Sequence, residues 1–243
     1  MFDHVTLRVA DLAGAERLLE SALAPLGVQQ TASTETFAAW GDVTLAQASD
    51  ERPVTRRLHV AFVAPSRDEV DDFWQAGVDA GLRDNGRPGP RPIYSDDYYG
   101  AFLLDAEDNN FEAVHRGALR EGGNVDHVAI RVADVAAAKA FYSIVGEAAG
   151  FRLLRERPGS ATFGGGRSGG MLSIVSGPVS ENAHIAFPGD DDAIRRFYDQ
   201  ATAAGYRDNG APGERPRYHP GYYAAFVLDP DANNIEMVDH HRT

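Results

Sequence analysis

The sequence predicts an α+β protein assembled from four βαβββ modules, and three observations carry that prediction. First, the 243-residue chain repeats itself at a spacing of about 123 to 125 residues. "DHVTLRVADL" (3–12) returns as "DHVAIRVADV" (126–135), "HVAF" (59–62) as "HIAF" (184–187), and "YYGAFLLDAEDNNFEAV" (98–114) as "YYAAFVLDPDANNIEMV" (222–238). Second, each half restarts a strand–helix rhythm midway along its length. Third, the late strands of each half are joined by tight turns, which favours a mixed, largely antiparallel sheet over a parallel α/β sheet.

The elements follow in order. The first strand has a two-residue period, with Val5, Leu7 and Val9 on one face and His4, Thr6 and Arg8 on the other. "LAGAERLLESALAPLG" places its apolar residues at helical spacing and ends on glycine. Short strands are expected around "TFAAW" and "VTLAQA". "LHVAFVA" begins the next module as a strand. "SRDEVDDFWQAGVDAG" continues it as a helix, with Ser66 as N-cap and acidic residues in its first turn. A long Gly/Pro loop then leads to two strands, "YYGAFLLD" and "NFEAVHR". The second half runs through the same order. The period is too long for a solenoid. The expected organisation is therefore two copies of one domain, 1–117 and 125–243, with the polar, Gly-rich segment 118–124 as linker.

Composition narrows the function. A net charge of −13 opposes nucleic-acid and anionic-membrane partners. No apolar run is long enough to span a bilayer. The chain has no cysteine, which excludes disulfides, zinc ribbons and thiol nucleophiles. Expected are a cytoplasmic location, a monomer or homodimer, and a small-molecule substrate.

Strand alternation exposes the chemistry. His127 opposes the apolar face of Val128, Ile130 and Val132. His184 opposes Ile185 and Phe187, and Glu236 opposes Ile235 and Met237. The first half does the same with His4, His59 and Glu112. Two imidazoles and one carboxylate suit a divalent transition metal and leave positions for water or substrate. Small neighbours (Thr6, Ala61, Ala129, Ala186) leave room beside them.

With these residues in view, the pattern resembles the vicinal-oxygen-chelate superfamily of glyoxalases, extradiol dioxygenases, fosfomycin-resistance thiol transferases and bleomycin-resistance proteins. "DHVAIRVAD", "AHIAF" and "DPDANNIEMV" carry the resemblance, although Ala232 stands where the family motif has glycine and "DAEDNNFE" lacks both its proline and its glycine. The resemblance implies that paired modules curl into cup-shaped sheets with helices on the outer faces. It also implies that His127, His184, Glu236, His4, His59 and Glu112 are metal ligands. Glyoxalase I typically adds a fourth ligand from the last strand of its first module. Here those strands read "DVTLAQA" and "GMLSIVS", with Asp42 only at a strand start. Three ligands match extradiol dioxygenases and fosfomycin-type transferases better. Fe2+ or Mn2+ is favoured, with Zn2+, Ni2+ or Co2+ as alternatives. The ligands pair either within each half, or across halves as His4–His184–Glu236 and His127–His59–Glu112.

The segment "RDNGAPGERPRYHPGYY" (207–223) is expected to be an irregular loop that acts as a lid. It offers His219, Tyr218 and Tyr222 as catalytic candidates and Arg217 for an anionic substrate. Arg8 and Arg131 are further substrate-binding candidates. His219 is matched only by Ser95 in the first half, which makes the second half the better candidate for catalysis. "GGGRSGG" (164–170) lacks a phosphate-loop ending and reads as a hairpin turn. The functional expectation is a metalloenzyme leaning to extradiol dioxygenase chemistry. Glyoxalase-like or thiol-transfer chemistry and metal-free sequestration of a small molecule are the alternatives.

Overall fold

The computed structural model describes residues 1–117, 122–166 and 169–241. Most of the expected linker, Arg167 and Ser168 of the glycine-rich turn, and the last two residues lie outside them.

The four modules are present. The first comprises β1 (His4–Val9), α1 (Leu12–Leu23), β2 (Ala32–Ser33), β3 (Phe37–Trp40) and β4 (Val43–Gln47). The second comprises β5 (His59–Val63), α2 (Arg67–Ala80), β6 (Arg83–Pro90), β7 (Tyr99–Leu104) and β8 (Asn110–His115). The third comprises β9 (Val125–Val132), α3 (Val135–Ala149), β10 (Arg152–Arg157), β11 (Ser160–Gly164) and β12 (Met171–Ser176). The fourth comprises β13 (His184–Pro188), α4 (Asp191–Ala203), β14 (Asp208–Glu214), β15 (Tyr223–Leu228) and β16 (Asn234–Asp239). They form two mixed eight-stranded sheets, in the orders β14-β15-β16-β13-β1-β4-β3-β2 and β10-β11-β12-β9-β5-β8-β7-β6.

By packing, the chain forms two compact units: Met1–Val5 with Ile130–Thr243, and Thr6–Ala129. In the first, α3 lies on β10–β12 and α4 on β14–β16. Phe141, Tyr142, Ile185, Phe187 and Phe197 are fully buried in its core. In the second, α1 lies on β3 and β4 and α2 on β6–β8, over Leu7, Leu19, Trp40, Phe62 and Phe73. Each helix starts on a side-chain cap that satisfies an otherwise unpaired backbone N–H. Ser66 accepts from the Asp68 N–H, and its hydroxyl donates to Glu69. Asp11, Asp134 and Asp190 cap the other three.

Register sets the donors. In the second unit β5 runs parallel to β8, with Ala61 level with Glu112 and His59 level with Asn110. On its other side β5 runs antiparallel to β9, with Ala61 opposite His127. Residues level across a sheet share a face, so the methyl-sized Ala61 separates Glu112 from His127. In the first unit β13 runs parallel to β16 with Ala186 level with Glu236, and the Asp3 N–H donates to the Ala186 carbonyl at 2.9 Å. A larger side chain at Ala61 or Ala186 would fill the space between the donors.

The Gly/Pro segments correct the expectation of long loops. Residues 83–90 and 208–214 are the strands β6 and β14, paired antiparallel to β7 and β15 with register shifts. They stand at sheet ends, where proline costs no ladder hydrogen bond. Gly210 has φ +149°, and an added Cβ would stand 2.9 Å from the Phe226 ring. Glycine is thus required for the strand to pass flat over that ring. Only residues 215–222 remain as a connecting loop.

Candidate metal centres

In the first unit, His4 Nε2 lies 3.1 Å from His184 Nε2 and 3.6 Å from Glu236 Oε2. His184 Nε2 lies 2.9 Å from the same oxygen. In the second, His59 Nε2 lies 3.2 Å from His127 Nε2 and 3.0 Å from Glu112 Oε2, with His127 Nε2 at 3.4 Å from that oxygen. Donors about 2.1 Å from a common cation stand about 3.0 Å apart at right angles and about 3.4 Å apart tetrahedrally. Both triangles have the size a shared divalent ion requires. The structure groups these six donors across the sequence halves: among the described residues, neither His4, His59 and Glu112 nor His127, His184 and Glu236 come together as a set. A third acidic cluster, Asp191, Asp239 and His241, is more exposed, and Arg195 already pairs with Asp191.

Most of the remaining donor and acceptor positions have protein partners. Tyr222 donates to Glu236 Oε1 at 2.5 Å and Tyr98 to Glu112 Oε1 at 2.6 Å, which leaves Oε2 of each carboxylate facing the imidazoles. Asp3 accepts from His4 Nδ1 and Asp126 from His127 Nδ1, both at 2.8 Å. A carboxylate on Nδ1 fixes the tautomer that presents Nε2 to a metal. The side-chain amide of Asn234 lies 2.5 Å from His184 Nδ1. Tyr222, Ala186, Phe226 and Val238 form a buried apolar cluster in the first unit, and Tyr98, Ala61 and Val114 form one in the second.

The two centres diverge one contact farther out. Asp126 is fully buried and accepts two hydrogen bonds from the Arg116 guanidinium, at 2.7 and 2.8 Å. Asp3 instead meets His240 Nε2 at 3.0 Å, and His240 Nδ1 meets His219 Nε2 at 2.9 Å. His240 and Arg116 occupy equivalent places in the repeat.

Tyr222 is committed to Glu236, so its hydroxyl holds the carboxylate. His219 is joined to the first centre through His240 and Asp3. Tyr218 is exposed, with its ring 4.8 Å from that of Tyr222. Arg217 donates to the Tyr218 hydroxyl and stacks over its ring. Arg131 is exposed, and its backbone N–H donates to Ser180. Arg8 is half-buried, and its backbone N–H donates to Thr55. Asp42 is no ligand to either triad: it accepts the backbone N–H groups of Asn124 and Val125. Sequence reasoning missed Tyr98, Asp3, Asp126, His240 and Arg116. The signal for the first three was present, since "DH" and "YY" occur in both copies at matching places.

Electrostatics favour a charged triad. Burial works against the Glu112 carboxylate, but hydrogen bonds and charge from His127 and His59 outweigh it and hold its pKa at about 2. Burial likewise works against protonated His127, and Asp126 and Glu112 outweigh it, raising that imidazole to about 9. His4 is raised against burial by Asp3 and Glu236. In the metal-free protein, the stabilisation from His127 is whole below the ordinary histidine pKa of about 6.5 and is lost as pH rises through about 9. A metal must displace that proton. Binding at the second centre is therefore expected to release about one proton at pH 7 and to tighten by up to about tenfold per pH unit as pH rises toward 9. Calorimetry in two buffers of different ionisation enthalpy measures this, and no proton release would contradict it.

The profile of the Glyoxalase/Bleomycin resistance protein/Dioxygenase superfamily matches residues 124–237. Residues 124–237 belong to that superfamily. Glyoxalase I from Zea mays is similar in structure over 98% of this chain and 92% of its own, at 18% identity and a TM-score of 0.67. A glyoxalase/bleomycin resistance protein from Albidiferax ferrireducens T118 is 27% identical over 48% of this chain and 99% of its own, with a TM-score of 0.43. Among curated proteins, none matches the sequence. The likeness to glyoxalase I concerns the fold, which is shared along nearly the whole chain. No helix among the described residues is long and apolar enough to cross a membrane.

Proposed function

We propose that the protein is a metal-dependent enzyme of this superfamily. It acts on a small oxygenated molecule at one or both His2Glu centres, with Fe2+ or Mn2+ as the favoured ion. The observation that supports this most is the pair of partly buried donor triangles with 2.9 to 3.6 Å edges. A bound divalent ion would supply Lewis acidity and orient two neighbouring oxygens of one substrate.

The chain's own residues do the rest. Tyr222 and Tyr98 hold one oxygen of each glutamate, so the other is fixed for the ion. Asp3 and Asp126 orient His4 and His127. The apolar walls around Ala186 and Ala61 exclude water and strengthen these interactions. His219 and Tyr218 line the approach to the first centre as candidate proton-transfer groups. We assign Arg217, Arg131 and Arg8 to anionic substrate groups. We also read 1–117 and 125–243 as two fused copies of one domain.

Three donors per centre favour extradiol-type dioxygenase chemistry over a four-ligand glyoxalase site. Oxygen uptake with catechols, compared with turnover of a glutathione hemithioacetal, tests the choice on protein loaded with Fe2+ or Mn2+. Ring-cleaving oxygen uptake is the expected result. Hemithioacetal turnover without oxygen uptake would overturn it in favour of the glyoxalase-like alternative. Failure to retain any divalent ion would favour sequestration of a small molecule without metal.

A further inference from the structure

The two units differ sharply on the helix side of their sheets. In the first, Tyr142 of α3 is fully buried, and its hydroxyl donates to Asp229 Oδ2 at 2.9 Å. Its neighbour Phe141 packs edge-on against Tyr206 at 4.8 Å. At the equivalent places the second unit carries Leu19, Asp105, Leu18 and Leu82. Leucines stand where the first unit has three rings, and beside them lies a groove of about 210 Å³, lined by Leu18, Leu19, Leu45, Leu82, Phe111 and Asp105.

The polar wall is the same in both units. Asp229 Oδ1 accepts the N–H groups of Asp231 and Asn233, while Oδ2 accepts both the Asn233 side chain and Tyr142. Asp105 repeats the first three bonds, with Glu107 and Asn109 as donors. Among the described residues no side chain takes the fourth position, the one a phenol holds in the first unit.

We propose that this groove binds a phenol. The ring would lie in the groove against Leu19, with the hydroxyl donating to Asp105 Oδ2 as that of Tyr142 does to Asp229. The volume is sufficient, since a dry cavity of about 150 Å³ accepts benzene. Burial raises Asp105 to about 6, against the hydrogen bonds from Asn109, so near pH 7.5 the carboxylate is mostly ionised and a strong acceptor. The site is separate from the metal centres: alternation along β8 sends Phe111 to the helix side and Glu112 to the other.

The test uses metal-loaded protein at pH 7.5 and 4-methylphenol, the tyrosine side chain cut at Cβ. The parent is expected to bind one equivalent saturably, at least tenfold more tightly than toluene. Amide shifts should centre on Gly14, Leu82 and Phe111. Leu19→Tyr fills the groove with the residue its counterpart carries. It is expected to keep its metal content and to lose binding at least tenfold. Unchanged binding by a metal-replete Leu19→Tyr variant would overturn the proposal, as would equal affinity for toluene. Should that variant not fold, absence of shifts at those three amides in the parent overturns it as well.

Discussion

The Glu236→Gln variant is expected to bind one divalent ion per chain where the parent binds two, and Glu112→Gln to do the same. Each substitution removes the single anionic donor of one triangle and leaves its tyrosine partner in place. Altering an outer partner of a ligand typically costs 10- to 100-fold in metal affinity. Loss of the charged ligand itself should cost more, at least about 100-fold, enough to empty the centre at submicromolar protein. Mass-spectrometric metal analysis of desalted protein measures the outcome. Combinations sharpen it. Adding His4→Ala to Glu236→Gln damages a centre already lost, so one ion remains. Adding Glu112→Gln instead removes the second ion. If ligands paired within each sequence half, His4→Ala and Glu236→Gln would together remove both.

The largest expected loss of stability lies behind the second centre. Asp126 is fully buried, and Arg116 neutralises it through two short hydrogen bonds. Arg116→Met leaves that carboxylate with His127 as its remaining side-chain partner. Breaking a buried pair by removing one partner costs about 3 to 5 kcal/mol, and the low end is expected here because Arg116 is partly exposed. Urea denaturation of the metal-free protein should show it. The comparison variant is His240→Ala, at the equivalent place, where Asp3 is partly exposed and loses an imidazole instead of a guanidinium. Its cost should be about 1 kcal/mol, in the range of one hydrogen bond. Equal costs for the two variants would contradict the distinction between a fixed and an exchangeable outer partner.

How much of this was legible in the sequence depended on how local each cause is. Alternation is local. It placed His4, His127 and Glu236 opposite buried valines and isoleucines, and the structure buries Val5, Leu7, Val128, Ile130 and Ile235 accordingly. Ser66 announced its helix in the same way. Pairing of the donors is not local. It depends on β9 lying beside β5, with Ala61 opposite His127, and no residue in either strand encodes its neighbour. The edge strands β6 and β14 escaped notice because glycine and proline read as loop wherever the pairing partner is unknown. Tyr222 looked like a loop tyrosine and Tyr98 like the start of a strand. Only the structure shows their hydroxyls on the triad glutamates, 14 residues along the chain in each case.

Anomalous diffraction from crystals of metal-loaded protein, recorded at the edge of the bound ion, tests the central claim most directly. The account predicts two peaks per chain. One lies about 2.1 Å from His4 Nε2, His184 Nε2 and Glu236 Oε2, and the other at the same range from His59 Nε2, His127 Nε2 and Glu112 Oε2. Peaks held by other residues, or none at either triangle in protein shown to carry the ion, would contradict it.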